Sequence, residues 1–282
     1  MKSASKIIIV ALLALVVAGC GVRSAYNNLD WLMMRWINNQ VSLDAEQELS
    51  VRTALDEKLL WHCSSQLPQY VSFLRAVDSD VADEAINVEV LRGHGEQLAA
   101  FGRELAERAQ PDIVEFLASL NDEQIVALRA SFDERNEEII EESIEVTAAE
   151  RQANQVQAME RGMRRFSGRP SMLQRERLKQ WATELKSTAE MSLEQRLAWQ
   201  DEFFDALALR SDNGAFESRM QALLEPGATW SDEFRQRMEY NRERTLEAIV
   251  DVHALSSPRQ ISRLRSRLDS LASDFERLIC AS

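Results

Sequence analysis

Glycine and proline are scarce in this sequence, with nine Gly and five Pro among 282 residues. Sandwiches, barrels and alternating β/α folds need many turns, and turns depend on these two residue types. Charged residues instead make up 28% of the chain, in stretches rich in Glu, Ala, Leu, Arg and Gln that favour long helices. We therefore predict an all-α fold, an elongated multi-helix bundle of roughly eight to ten helices with mostly antiparallel neighbours.

Basic residues are also in short supply relative to acidic ones. The chain carries 33 Lys and Arg against 46 Asp and Glu, a formal net charge of -13. A nucleic acid would meet repulsion over most of such a surface rather than the counterion release that drives its binding. We therefore expect no nucleic-acid partner.

The usual motifs of metal, redox and hydrolytic chemistry are missing. None of the three histidines has a Glu three positions before it, which excludes the Glu-x-x-His pairs of helical di-iron sites. There is no Cys-x-x-Cys, His-Glu-x-x-His, Gly-x-Ser-x-Gly or phosphate-loop pattern. His62 and Cys63 are adjacent and point about 100° apart on a helix, so they cannot form a nucleophile–base pair. We predict no enzyme, no catalytic residue, no metal and no cofactor.

The N-terminus has the pattern of an export signal. Lys2 and Lys6 precede the apolar run 7–18, which is too short to span about 30 Å of hydrocarbon and is typical of a cleaved secretory signal. Val17-Ala18-Gly19-Cys20 resembles the lipobox of bacterial lipoproteins, in which the cysteine is acylated and becomes the first residue. This resemblance implies a signal peptide over residues 1–19, a lipid on Cys20 and the bilayer as a partner.

The residue after the lipid-bearing cysteine bears on location. It is Gly21 rather than Asp. This resembles the lipoproteins of enterobacteria-like systems that lack Asp at this position and are passed on by default to the outer membrane. We therefore expect a lipid-anchored protein of the bacterial cell envelope that faces the periplasm, with the outer membrane favoured over the inner.

Local signals place several helices. A capping residue followed three positions later by Gln predicts a capping box, and hence a helix start, at Asp44/Gln47, Asn121/Gln124, Ser192/Gln195 and Ser257/Gln260. The spacings of 77, 71 and 65 residues suggest repeated helical hairpins. Steps of three and four between apolar residues predict a C-terminal helix with one packed face, formed by Ile261, Leu264, Leu268, Leu271, Phe275 and Leu278.

Proline and glycine mark the predicted ends of helices. Breaks are expected at Pro68, Gly93 to Gly95, Pro111, Ser167 to Pro170, Asn213-Gly214, Pro226-Gly227 and Pro258. The Ser167–Pro170 stretch has the strongest loop composition and lies near the middle of the chain. It divides the mature protein into an N-terminal helical half, 20–166, and a C-terminal helical half, 171–282, unless the two form one continuous domain.

Several motifs together resemble a known family. They are Tyr-Asn-Asn-x-Asp-Trp-Leu-x-x-Arg-Trp at Tyr26 to Trp36, Trp61-His62 with Leu67-Pro68-x-Tyr70, Glu134-Arg135-Asn136-Glu137, and Asn241-Arg242 with Thr245-Leu246. The family consists of bacterial lipoproteins known only as a domain of unknown function, so the resemblance implies no activity. Leu120 to Gln124 and Ser192 to Gln195 are more weakly similar to the Leu-Thr-x-x-Gln motif of Spy/CpxP-type periplasmic proteins.

Polar residues in apolar surroundings give a second set of candidates. Helical spacing places Asn136 and Asn241 beside apolar seams, and a buried amide without partners costs about 1–3 kcal/mol. We therefore predict that both join a shared buried network that can include Asn27, Asp30 or Arg35. The alternative is that Asn241 caps a kink or lies at the edge of the bundle.

The two cysteines after Cys20 give a further candidate. In an oxidising compartment Cys63 and Cys280 form a possible disulfide between the last helix and the Trp61–Tyr70 segment. The alternative is a pair of ordinary thiols, each packed as a small apolar residue.

These features favour a non-enzymatic envelope protein that binds another envelope protein or has a structural role. A periplasmic holdase chaperone or stress sensor is the second hypothesis. A hydrolase whose catalytic residues are scattered along the sequence is the third.

Overall fold

The computed structural model describes residues 21–225, 227 and 229–280, and this part of the chain is mainly α-helical and contains no strand. It contains twelve α-helices and two π-helical segments. In chain order they are α1 (Gly21–Tyr26), α2 (Leu29–Gln40), α3 (Ala45–Trp61), π1 (His62–Gln66), α4 (Leu67–Ala82), α5 (Val88–Ala118), α6 (Asp122–Ile139), π2 (Ile140–Ile144), α7 (Ala148–Phe166), α8 (Met172–Glu184), α9 (Ala189–Leu207), α10 (Asn213–Leu224), α11 (Asp232–Ala254) and α12 (Pro258–Glu276).

The all-α prediction is confirmed for the described residues, with more helices than expected. Segment π1 joins α3 and α4 into one continuous helix and π2 extends α6, which leaves eleven separate helices. The Tyr26–Trp36 motif spans the end of α1 and most of α2, which are separated by a turn at Asn27 and Asn28. The elongated bundle with antiparallel neighbours stays a prediction.

Three predicted breaks are wrong. Helix α5 runs for 31 residues through Gly93, Gly95 and Pro111. An exposed glycine destabilises a helix by about 1 kcal/mol, and an internal proline removes one backbone hydrogen bond. The burial of apolar side chains on this helix, including Phe101 and Val114, offsets both costs. Pro68 lies in the first turn of α4, where a proline is tolerated, and the helix continues from π1 without a break.

Three of the four predicted capping boxes are confirmed, at Asp44/Gln47, Asn121/Gln124 and Ser257/Gln260. The fourth is wrong, because Ser192 and Gln195 lie inside α9, which begins at Ala189. The Gln195 side chain instead accepts the backbone N–H of Ser231, the residue that caps α11. Two further boxes that the sequence analysis missed, Thr147/Glu150 and Ser171/Gln174, start α7 and α8.

The capping glutamines also bind one another across helices. The Nε2 of Gln47 donates to the Oε1 of Gln124 at 3.1 Å, and the Nε2 of Gln124 donates to the Oε1 of Gln47 at 2.6 Å. The Nε2 of Gln47 also donates to the carbonyl of Ser119, two residues before the cap of α6. The Nε2 of Gln124 donates to the carbonyl of Ser42, two residues before the cap of α3. The two helix starts are thus joined by a reciprocal pair of buried amides.

A second glutamine pair joins the starts of α8 and α12. The Nε2 of Gln260 donates to the Oε1 of Gln174 at 3.0 Å and to the carbonyl of Arg169, again two residues before a cap. Gln174 is fully buried and donates to the carbonyl of Val252. The Ser167–Pro170 stretch is therefore held against the last helix.

The largest hydrophobic cluster draws on helices before and after that stretch. Its buried members include Val114 of α5, Leu128 of α6, Phe203 of α9 and Met220 of α10. Helix α12 packs along α4, where Leu268 and Ala272 form a further cluster with Leu74. The division into 20–166 and 171–282 stays a prediction, and the two halves share a core.

Candidate functional site

The start of the described chain is buried in a hydrophobic group that we call the junction cluster. Its buried members are Val22 of α1, Cys63 of π1, Leu67 of α4 and Leu278, which follows α12. Val22 is 5% exposed although it lies two positions after Cys20. Cys20 and the signal peptide 1–19 lie outside the described residues, so the lipidation of Cys20 stays a prediction.

A disulfide bond between Cys63 and Cys280 lies in the junction cluster. Their Cα atoms are 5.3 Å apart, and the bond joins positions separated by 217 residues. The backbone N–H of Cys280 also donates to the carbonyl of Cys63 at 3.4 Å. Of the two alternatives that the sequence left open, the structure contains the bonded pair.

An aromatic group surrounds His62 beside the disulfide. The Tyr26 hydroxyl lies 2.8 Å from the Nδ1 of His62, and the Tyr70 ring packs on the imidazole edge at 5.5 Å between centroids. Burial lowers the pKa of His62 to about 4, so the ring is neutral at neutral pH and its Nδ1 can accept the Tyr26 O–H. Burial and the neighbouring Tyr70 raise the pKa of Tyr26 to about 12. The group is a neutral hydrogen-bonded contact between α1 and π1.

Gln66, the last residue of π1, is a site that the sequence analysis missed. Its side chain is fully buried, and neither atom of its amide has a hydrogen-bond partner in the described part of the chain. A π-helical turn often accompanies functional residues, but it has no reliable sequence signature. Only the structure could have found this residue.

The polar residues of the first helices are not part of a buried network, and this prediction is wrong. Asn27 and Arg35 are exposed and Asp30 is half-buried. The Arg35 guanidinium lies 5.5 Å from the ring centre of the exposed Trp31. Helix α2 packs on α3 and α6 through the face that carries the buried Met34. The face with Trp31 and Arg35 therefore lies outside the core.

Asn136 is buried as predicted, but in a different group, which we call the amide cluster. Its Nδ2 donates to the Oε1 of Gln200 at 2.8 Å, and the Nε2 of Gln200 donates back to its Oδ1 at 3.2 Å. The Nε of Arg196 donates to the same Oδ1 at 2.7 Å. Arg196 and Gln200 are one turn apart on α9, so the cluster joins α9 to α6.

Asn241 does not reach this cluster, and the predicted link between the two asparagines is wrong. Its Nδ2 donates to the carbonyl of Lys186 at 2.8 Å, and its Oδ1 accepts the N–H of the same residue at 2.9 Å. The prediction assumed that Met238 faces the core, but Met238 is 38% exposed. The Met238–Asn241 face of α11 lines an open cleft instead.

Two open clefts flank Trp230 in the loop before α11. The first, of about 410 Å³, is lined by Arg196, Trp199, Leu223, Trp230 and Phe234 among others, and we call it the Arg196 cleft. The second, of about 630 Å³, includes Leu185, Met238 and Leu246, and we call it the Met238 cleft. Both are lined by Gly227 and Trp230, so the two clefts adjoin.

Replacing Asn136 tests the amide cluster. Asn136→Ala leaves the Arg196 Nε–H and the Gln200 amide without their partner, which we expect to lower the free energy of unfolding by about 1–3 kcal/mol in denaturant titrations. Asn154→Ala, on the exposed side of α7, is the control and should change it by less than about 0.5 kcal/mol. Equal stability of the two variants would contradict a stabilising role for the cluster.

Within the described ranges, no group of three or more His, Cys, Asp and Glu side chains could hold a metal ion. No helix in these ranges combines the length and the apolar character that crossing a membrane requires.

Comparison with known proteins gives a match to a family model. The model covers residues 39–235 and is described as a family of unknown function, DUF6279. No curated protein and no solved structure matches the chain. The matched range contains the amide cluster and Trp230 but begins after the Tyr26–Trp36 motif, which stays a prediction together with the Spy/CpxP-type resemblance.

Proposed function

Because the chain belongs to DUF6279, a family of unknown function, we propose from its own residues that it is a lipid-anchored protein of the bacterial cell envelope. It faces the periplasm, with the outer membrane favoured over the inner. Its role is to bind another envelope protein without catalysing a reaction.

The lipobox at Val17–Cys20 carries this proposal, and the burial of Val22 indicates how close the anchor lies to the packed helices. Two peptide steps span at most about 7 Å, so an acylated Cys20 lies within that distance of a residue packed in the junction cluster. Lipoproteins that must reach across the periplasm need a flexible stretch after the lipid. Here the helix that starts at Gly21 is already packed against the domain, so we expect the junction cluster to lie close to the membrane surface.

The disulfide supports the same compartment. Disulfides persist in oxidising environments such as the bacterial periplasm and are rare in the cytosol. The bond between Cys63 and Cys280 also fixes the end of the chain beside α1. A domain held this way keeps one orientation relative to its anchor, which suits a protein that presents a binding surface.

Removing the anchor tests the proposal. We expect Cys20→Ala to abolish incorporation of radiolabelled palmitate and to leave the precursor uncleaved or the product soluble, because the acylated atom is gone. Ser24→Ala, at an exposed position four residues after the anchor, is the matched control, since it changes no cysteine and should still be labelled and fractionate with the outer membrane. Label in the Cys20→Ala protein would overturn the lipoprotein assignment.

A holdase chaperone or stress sensor is the second candidate, and the clefts beside Trp230 favour it. Trp230 and Met238 are 40% and 38% exposed, and both line the Met238 cleft. A holdase suppresses aggregation of many unfolded proteins, whereas a specific binder does not. A light-scattering assay with two unrelated unfolded clients therefore separates the two functions.

A further inference from the structure

The Arg196 cleft combines apolar walls with a positive charge that has no counter-charge. The Arg196 guanidinium is half-buried and forms no ion pair with a carboxylate among the described residues. Its Nε–H is used by Asn136, which orients the side chain. Burial, together with the nearby Arg135, lowers the pKa of Arg196. An anion that binds in the cleft would therefore stabilise the half-buried positive charge of Arg196.

The other two arginines of the adjoining clefts are already engaged. Arg242 pairs with Glu239 at 2.7 Å, and Arg235 donates to the carbonyls of Gly227 and Trp230. Glu225, the one carboxylate lining the Arg196 cleft in the described part, is exposed and forms no ion pair with Arg196. Arg235 and Arg242 are also exposed, so Arg196 is the arginine of these two clefts, within the described residues, that is both half-buried and without a carboxylate partner.

The walls around Arg196 suit an apolar side chain. Trp199, Leu223 and Phe234 line the cleft, and the Trp230 ring packs edge-on against Phe234 at 5.0 Å between centroids. Trp199 is held in place by its Nε1–H, which donates to the carbonyl of Leu223 at 2.9 Å. The Trp230 ring is 40% exposed and separates this cleft from the Met238 cleft.

We propose that the Arg196 cleft binds the C-terminal carboxylate of a polypeptide that ends in an apolar residue. The free end of a chain brings an anion and an apolar side chain on the same residue, and a guanidinium binds a carboxylate through two parallel hydrogen bonds. The last side chain packs between Trp199 and Phe234, and the preceding residues cross Trp230 toward the Met238 cleft.

The open shape of the clefts favours a peptide over a fatty acid. An acyl chain gains most where it is enclosed on all sides, whereas an extended peptide leaves one face in water. This assignment names a ligand for the binding role proposed above and rests on that role. Peptide binding does not, however, require the lipid on Cys20. A failure of either proposal can therefore be told apart from a failure of the other.

Matched peptides test the proposal. The full chain is reconstituted in phosphatidylcholine nanodiscs, and fluorescence anisotropy measures binding of a fluorescein-labelled peptide ending in Leu with a free carboxylate, and of the same peptide as a C-terminal amide. We expect the acid to bind at least tenfold more tightly than the amide, and Arg196→Gln to remove that difference. Arg219→Gln, which changes an exposed arginine on α10, is the control and should keep it.

A second variant guards against an effect of Arg196→Gln on folding. Trp230→Ala leaves Arg196 and the amide cluster in place and should weaken acid and amide by a similar factor, because it removes only the apolar wall. Equal binding of the two peptides, or a preference for the acid that persists in Arg196→Gln, would overturn the proposal. Saturable, Arg196-dependent binding of laurate without binding of the peptide would overturn it in favour of an amphiphile site.

Discussion

Reduction of the Cys63–Cys280 bond should lower the free energy of unfolding by about 2–5 kcal/mol, because the bond restricts the unfolded chain. In the chain-entropy model, closing a loop across 217 positions stabilises the fold by about 5 kcal/mol, and measured values often fall below the model. For a domain of this size the melting temperature should fall on the order of 10 °C.

The measurement is a denaturant titration of the full chain with and without dithiothreitol. Cys280→Ala should match the reduced protein and should no longer respond to dithiothreitol. Cys63→Ala should be less stable still, because Cys63 is 2% exposed and its removal also leaves a small cavity. Unchanged midpoints on reduction would show that the bond adds nothing to stability.

The change should involve the whole domain rather than the chain end alone. The bond encloses all helices from α4 to α12 and joins the segment that packs on α1. Hydrogen exchange should therefore speed up in the slowest amides of α9 as well as in α1. Faster exchange confined to α1 and the last residues would instead indicate local fraying.

The fold class was predictable from the sequence because it depends on local rules. Few turn residues and many helix formers exclude strands, and a capping residue three positions before Gln marks a helix start. The same local rule failed at Ser192/Gln195, where the helix begins one turn earlier and Gln195 serves a different helix. A capping motif identifies a possible start, and tertiary contacts decide whether it is used.

The candidate site was less predictable because its contacts are long-range. The burial of Asn136 followed from the seam beside it, but its partners Arg196 and Gln200 lie about 60 positions away and belong to a helix whose packing no local pattern reveals. Arg196 resembles any other arginine of an acidic, helical chain. What distinguishes it is its half-buried position in an apolar cleft without a carboxylate partner in the described fold, which only the structure shows.

Replacing Gln47 by Ala should lower the free energy of unfolding by about 2–4 kcal/mol, because it removes a capping interaction and leaves a buried partner unsatisfied. Gln47 accepts the N–H of its own cap, Asp44, and donates to Gln124 and to the carbonyl of Ser119. Gln124→Ala should have a similar effect. In the double variant, the loss of unfolding free energy should be about 1–2 kcal/mol smaller than the sum of the losses in the two single variants. The reason is that each single change already disrupts the pair.

Gln47→Glu separates the two roles of this side chain. A glutamate keeps the oxygen that accepts the Asp44 N–H, but it cannot donate to Ser119 or Gln124 and brings a buried charge toward their oxygens. We therefore expect it to destabilise the fold at least as much as Gln47→Ala. If capping alone mattered, Glu would be tolerated, as it is in the natural box at Thr147/Glu150.

That natural box provides the matched control, because its glutamate is exposed and hydrogen-bonds only to Thr147 within the described fold. Glu150→Gln keeps a capping oxygen and breaks no contact between helices, so it should change stability by less than about 1 kcal/mol. A Gln47→Glu protein as stable as Glu150→Gln would contradict the view that paired amides, rather than caps alone, hold the starts of α3 and α6 together. In one series of denaturant titrations we therefore expect Glu150→Gln to be the most stable of the three variants, Gln47→Ala to be less stable, and Gln47→Glu to be the least stable.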